Sequence, residues 1–308
     1  MPLQTALHVH PKSILIATDL APESRNAMRH ALALARHFGA KLHIAHVVSS
    51  MGFTLAGPDV LAAAHDVACR DLAEYEMHLN ALGALSGIRC DVAVRDGEIW
   101  PQLQQLIAED DVELVVIGTH GRRGLGRLLL GSVAETIIRC APCPVVTVGP
   151  SFEESGVENV RQPRPVIFAA NFEPASIEAL PYLVNFAVER KCPLVLLHVI
   201  QHFPEPERGK WDSVDATLDR HRDALASAER KLEGLMRSHA RFCPTFDCRV
   251  MWGKPADEIL MLASELRADA IAMGLHRSTH PEAITHFRST IAYEVVCHAP
   301  CAVFTARA

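Results

Sequence analysis

The chain lacks any long hydrophobic run. No apolar stretch in its 308 residues approaches the roughly 18 residues of a membrane-spanning helix, so no membrane partner is expected. It also lacks an excess of positive charge. Thirty Lys and Arg face 36 Asp and Glu, for a formal net charge of −6 with no basic tail, which argues against nucleic acid as a partner. The first ten residues have neither the charged start nor the apolar core of a secretory signal, and the expected location is the cytoplasm. Cysteines number nine, and an odd count suits free thiols in a reducing compartment better than a disulfide framework. Two common phosphate loops are missing as well. Gly126-x4-Gly131-Ser132 has the outline of a P-loop but no lysine between the last glycine and the serine. No G-x-G-x-x-G opens a helix after the first strand, so a dinucleotide fingerprint is not supported.

What is present centres on residues 113–135. Glu113 to Ile117 is a short apolar run of buried-strand type. Gly118-Thr-His-Gly121 follows, then nine residues, then Gly131-Ser132. Ser132-Val-Ala-Glu135 has the spacing of a capping box, which predicts that Ser132 caps the Glu135 amide and that Glu135 reaches back. Strand, glycine-bearing loop and helix start are the parts of an anion site, because free amides and the helix dipole converge on one spot. Gly121 and Gly131 carry no Cβ and let the backbone approach an anion closely.

The rest of the first half alternates strands and helices. Ser13–Ala17 reads as a buried strand ending at Thr18-Asp19. Pro22-Glu23-Ser24 starts a helix that stops at Gly39. Lys41–Val48 is a second strand, a helix covers about Val60–Leu85, and Ile88–Val94 alternates like a strand at the sheet margin. Glu98–Glu109 is helical, with Ile99, Leu103, Leu106 and Ile107 on one face. Val145–Val148 is the last strand. Such alternation implies a parallel sheet covered on both sides, with ligands beyond the carboxyl ends of its strands. Asp19, Val47 and the Gly118 loop all follow such ends.

A polar, proline-bearing segment, 151–163, reads as a linker, and the pattern then returns. Val166–Ala170 followed by Asn171 matches the first strand and Asp19. Leu194–Val199 matches Leu42–Val47 at the same offset. Trp252-Gly253 matches the stretch around Gly97, Ala268–Gly274 matches the central strand, and His298-Ala-Pro-Cys301 matches Cys140-Ala-Pro-Cys143. This is an internal duplication, with expected domains 1–150 and 164–308. The copies part at the loop. The second glycine becomes Arg277, the third becomes Ser289, Pro281 removes an amide, and Asp19 becomes Asn171. The anion that such a loop holds is therefore expected in the first half, and poorly or not at all in the second.

The pattern G-x2-G-x9-G-S after an apolar strand, with the closing segment Cys140–Val148, resembles the ATP-binding loop and last strand of the universal stress proteins. The resemblance covers nearly the whole chain as a tandem pair. It implies an α/β fold of two open, mostly parallel five-stranded sheets flanked by helices, Rossmann-like in their adenine-nucleotide binding, packed as a pseudo-dimer. Carried across, Asp19 and the backbone at Val47 would meet the nucleoside end of ATP. Gly118, Gly121, Arg122, Gly131, Ser132 and Val133 would surround the ribose and phosphates, with or without Mg2+. Members commonly dimerise through the last strand; here the two halves can form that pair within one chain, and a homodimer beyond it stays open. The implied role is ATP binding in stress response with little or no catalysis.

Other readings stay open beside it. Arg122, Arg123 and Arg127 suit phosphate contact or a solvated loop equally. Weak ATP hydrolysis remains an alternative, as does a nucleotide-gated scaffold or sensor for an unknown protein partner. Adenylate formation is disfavoured, since no S-G-G-x-D-S loop follows the first strand. Cys140-x-x-Cys143 has redox spacing but lies between a helix end and a strand rather than at a helix start. His276, His280, His286, Cys297 and His298 are metal-ligand types in the second half, with nothing to fix a tetrahedral set.

Overall fold

The computed structural model describes residues 10–49, 58–119, 130–149, 164–201, 214–237, 246–275 and 290–307. Short runs of Ile, Leu and Val form the inner strands because both faces of the sheet are covered there, which buries most of their side chains. β1 (Ser13–Ala17) is the pattern case, with Ile14, Leu15 and Ile16 at 0–1% exposure. A 3-10 turn, Pro22–Ser24, leads into α1 (Arg25–Phe38), which ends at Gly39 with φ 61°, the left-handed cap expected of glycine. Then follow β2 (Lys41–Ser49), α2 (Pro58–Ala81), β3 (Cys90–Gly97), α3 (Ile99–Glu109), β4 (Leu114–Gly118), α4 (Ser132–Cys140) and β5 (Val145–Val148). The helix expected over Val60–Leu85 starts and stops earlier, because residues 82–87 turn back through Gly83 N–H to Asn80 C=O and Ala84 N–H to Leu79 C=O.

The second half repeats the order: β6 (Val166–Ala169), α5 (Pro174–Glu189), β7 (Leu194–Ile200), α6 (Val214–Met236), β8 (Phe246–Trp252), α7 (Pro255–Glu265), β9 (Ala270–Leu275), α8 (Ile291–His298) and β10 (Ala302–Arg307). Residues 151–163, read as a linker, lie outside the described residues.

The two sheets are not separate bodies laid against each other. They join edge to edge into one ten-stranded sheet of order β3-β2-β1-β4-β5-β10-β9-β6-β7-β8. All pairings are parallel except the central one, where β5 and β10 run antiparallel with Val146 opposite Phe304. Last strand therefore meets last strand within the chain. The seam is reinforced symmetrically: buried Thr147 donates its hydroxyl to Val303 C=O at 3.3 Å, and buried Thr305 donates to Val145 C=O at 3.2 Å. Joining these strands removes two edges that would otherwise present unpaired backbone.

The core is continuous across the seam on both faces. One layer links Ile14, Ile16 and Leu34 to Phe168, Leu183 and Phe304. The other links Leu15, Val115 and Ile137 to Ile167, Ile271 and Val303. Phe38 of α1 packs against Phe186 of α5 at 6.2 Å, and Phe186 against Phe304 at 5.7 Å. The halves thus share their apolar burial, the main favourable term in folding.

Candidate functional site

In each half the sheet order reverses at one place, between β1 and β4 and between β6 and β9. Such a switch point opens a crevice at the carboxyl ends, because the crossover helices leave on opposite faces. Asp19 follows β1 and Gly118 ends β4; Asn171 follows β6 and Gly274 lies in β9. Ala17 pairs with both Ala45 and Ile117. The register therefore brings Asp19, Val47 and Gly118 to the same end of three neighbouring strands.

The turn after β1 is fixed by local bonds. Thr18 N–H donates to Ala45 C=O at 2.9 Å, Leu20 N–H to Thr18 Oγ1 at 3.0 Å, and Ala21 N–H to Asp19 Oδ1 at 3.0 Å. Leu20 has φ 62°, a left-handed conformation unusual for a branched side chain and a mark of an imposed turn. The second half repeats it: Phe172 has φ 62°, and Glu173 N–H donates to Asn171 Oδ1 at 3.1 Å. An Asp or an Asn serves this turn equally, so the turn itself does not explain why the first half carries a charge there.

Sequence reasoning missed a histidine in each crevice. His46 Nδ1 lies 2.8 Å from Thr18 C=O, and His198 Nδ1 lies 2.7 Å from Ala170 C=O. A carbonyl only accepts, so Nδ1 carries the proton in both rings and the neutral form leaves Nε2 as an acceptor. Burial lowers the His198 pKa and favours that neutral form. The signal was available: both copies carry His-Val at the same offset near the end of their second strand.

The loop closes at its base. Thr119, which is buried, donates its N–H to Val148 C=O at 3.1 Å, and Gly131 N–H donates to Thr119 C=O at 2.9 Å. Gly118, Gly131, Ser132 and Val133 are therefore brought together. Gly121, Arg122, Arg123, Arg127 and His120 lie outside the described residues. Gly131 has φ −62°, and among the described residues a Cβ there would meet Thr119 C=O at 3.5 Å, an ordinary contact. Neither conformation nor the surrounding described residues require a glycine at this position.

The expected capping box does not form. Ser132 is the first residue of α4 rather than its cap, Gly131 holds the cap position, and no side chain among the described residues caps the helix. Glu135 is buried and lies 3.9 Å from Arg139, one turn on. The bond from Gly131 N–H to Thr119 C=O draws the helix start back by one residue, which spacing alone does not reveal. At the equivalent place in the second half, Thr290 does cap α8, accepting from Tyr293 N–H at 3.2 Å. One helix start is left uncapped by its own side chains and the other is not.

The second crevice is a cavity of about 300 Å3 at the ends of β6, β7 and β9. Its walls include Asn171, His198, Val199, Met273, Thr290 and Arg307. Its degenerate loop, residues 276–289, lies outside the described residues. Of the proposed metal ligands, His276, His280 and His286 fall there too. Among the described residues no three His, Cys, Asp or Glu gather as a metal set. Cys143 and Cys301 each precede a strand, and burial pushes both thiols up to about 12, the opposite of a reactive thiol.

An open α/β sheet with a crevice at each of two switch points defines a tandem, ligand-crevice class of protein. Comparison with known proteins names the family. The model of the universal stress protein family matches residues 11–149 and again 163–307, so the chain belongs to that family and carries two of its domains. A universal stress protein of Methanocaldococcus jannaschii is 29% identical over 138 residues, 44% of this chain and 81% of that protein. Another, from Mycolicibacterium smegmatis, is 28% identical over 191 residues, 60% of this chain and 63% of that one. The crystal structure of a universal stress protein from Archaeoglobus fulgidus shares the fold with a TM-score of 0.66 at 20% identity, covering 98% of both chains. Among the described residues no helix is long and apolar enough to cross a membrane.

Proposed function

We propose that this protein binds ATP in its first half and acts in stress response as a binding module rather than an enzyme. The observation that carries the reading is the start of α4. It follows a glycine, no side chain among the described residues caps it, and the amides of its first turn lack intrahelical partners. Those amides and the positive helix end suit phosphate oxygens. Gly131 is a glycine that neither its φ nor its described neighbours demand, which fits space kept for a ligand. Its own N–H is engaged by Thr119, so it contributes room and not a hydrogen bond. Ser132 and Val133 would donate to phosphate, Gly118 would line the floor, and Asp19 and Val47 would hold the nucleoside end. Gly121 and Arg122 complete the proposed set on the grounds of sequence. The domain limits 1–150 and 164–308 belong to the same proposal.

Calorimetric titration of nucleotide-stripped protein with ATP tests it. One site per chain is expected. Gly131→Phe should weaken binding about 100-fold or more, ~3 kcal/mol at 1.4 kcal/mol per tenfold, with little change in the urea midpoint. Two equal sites would remove the asymmetry, and no binding would remove the nucleotide reading. Under single-turnover conditions ATP should come off intact. Fast phosphate release, lost on changing one loop side chain, would make the protein an ATPase instead.

A further inference from the structure

We propose that the second-half crevice is a binding site in its own right, taking a small organic anion with an apolar body rather than a nucleotide. A degenerate copy that had only a structural duty would be free to fill its crevice with side chains, as interiors are close-packed. This one retains about 300 Å3, at the small end of the roughly 300–1,000 Å3 typical of ligand pockets.

The lining states the chemistry. Leu197, Val199, Ile259, Met273, Leu275 and Ile291 supply apolar wall. Among the described residues no Asp, Glu or Lys lines the cavity, and Arg307 brings a positive charge to it. Two differences from the first half move the charge in one direction. Asn171 stands where the first half has Asp19, which removes a negative charge. Arg307, which pairs with Leu275 one step beyond Gly274, stands where the first half has Gly149, which adds a positive one. Arg307 is held in place, donating Nε–H to Ile138 C=O of α4 at 3.0 Å. A guanidinium in an apolar wall is a strong partner for carboxylate.

The same changes disfavour a nucleotide. Thr290 occupies one of the α8 amides that a phosphate would use, and the acid expected at the nucleoside end is gone. The anion anchor has passed from helix amides to a side chain. Glu173, the nearest acid along the chain, accepts from Asn171 Nδ2 at 2.9 Å and is not among the lining residues.

The test uses the full chain with methyl-labelled Ile and Met, since Ile259, Ile291 and Met273 line the crevice. Benzoate, phenylacetate and hexanoate are titrated against benzamide, phenylacetamide and hexanamide. At millimolar concentration at least one acid should shift those three methyl groups, with its amide at least about tenfold weaker, the loss of one charge-assisted contact. Arg307→Gln should weaken the acid about as much. Should that variant unfold on losing the Ile138 contact, Asn171→Asp keeps the question open to measurement. It restores the first half's acid in a turn that Asp19 already makes, and it should weaken the acids while leaving the amides unchanged. ATP should not displace a bound acid. The proposal falls if no acid shifts these methyls, if amides bind as well as acids, if both variants bind unchanged, or if ATP competes. These methyls report the second half alone, so failure here leaves the first-half reading standing, and the reverse.

Discussion

The two halves share a frame and differ at the points where a ligand would be met. Both end β1 or β6 in a turn with a left-handed Leu20 or Phe172, and both bond a strand-end histidine to the preceding strand's carbonyl. Both start a helix after the loop, but Gly131 leaves one start uncapped and Thr290 caps the other. Asp19 faces Asn171 across the pseudo-symmetry, and Gly149 faces Arg307. Backbone bonds that position the crevice have been kept in both copies, while the side chains that would choose the occupant have diverged. A residue kept in both halves therefore speaks for the frame, and a residue that differs speaks for the ligand.

Glycine 118 and its counterpart Gly274 put that rule under the heaviest strain. Gly118 belongs to the proposed nucleotide set, yet the second half keeps a glycine without the rest of the set. Packing explains it: a Cβ on Gly274 would collide with Ala175 C=O and stand 2.6 Å from Ser176 Cα, both backbone atoms at the start of α5. Gly274→Ala should therefore destabilise the protein by about 3 kcal/mol or more, since an overpacked core cannot yield where the obstacle is main chain. Urea unfolding measures it. A change below about 1 kcal/mol would show a compliant contact and return Gly274 to the ligand-choosing class.

The seam offers the next test. His30 on α1 is buried where the second half has Tyr182 on α5. Burial, and after it the positive Arg190, lower its pKa to about 4, with Asp269 opposing. Arg190 and Asp269 form an ion pair at 2.8 Å. A histidine whose folded pKa is depressed binds fewer protons folded than unfolded. Its contribution is therefore complete above about 6.5 and is lost as pH falls from there towards about 4. The loss is about 3 kcal/mol by the end of that window, at ~1.4 kcal/mol for each tenfold change in proton affinity. His30→Leu should flatten the stability profile between those limits, by comparison with the unchanged chain in urea at each pH. Parallel profiles would mean that His30 takes up its proton in the folded state without cost.

Much of this frame is legible in the sequence because it follows from burial. Continuous β-branched runs predict β1, β4, β5 and β6, Gly39 predicts the end of α1, and the equal offset from Asp19 to Val47 and Asn171 to Val199 predicts the duplicate crevice. The pairing of last strand with last strand follows from the family resemblance. Other features depend on contacts between distant residues and leave no local pattern. Ser132-x-x-Glu135 has the letters of a capping box, but the Thr119–Gly131 bond shifts the helix start and leaves Ser132 inside it. The bracing of the β5–β10 seam depends on Thr147 and Thr305, each bonding a carbonyl more than 150 residues away. Arg307 joins the second crevice from the far end of the chain, where its spacing from Asn171 carries no signal.

The smallest effect comes from the outer part of the first half, where the comparison can be tested without touching either crevice. His43 in β2 is buried at 5% exposure, and Val195 holds the same place in β7 at 6%. His43 Nδ1 lies 3.4 Å from Asp110 Oδ2, while its buried Nε2 has no hydrogen-bond partner. Burial lowers its pKa, with Asp110 opposing. A polar atom buried without a partner costs about 1–3 kcal/mol, whereas a matched apolar group costs nothing of the kind. His43→Val copies the second half into the first and gives up a long contact to Asp110, a carboxylate one-third exposed and so still hydrated. The variant should be more stable by about 1 kcal/mol, seen as a higher urea midpoint with an unchanged slope. ATP affinity should not move, because His43 lies away from the strand ends that form the crevice, three residues before His46 in β2 and paired with Leu15 in mid-strand. A loss of stability instead would mean that the His43–Asp110 pair holds α3 against the sheet, a duty that Val195 leaves to apolar contact in the other half.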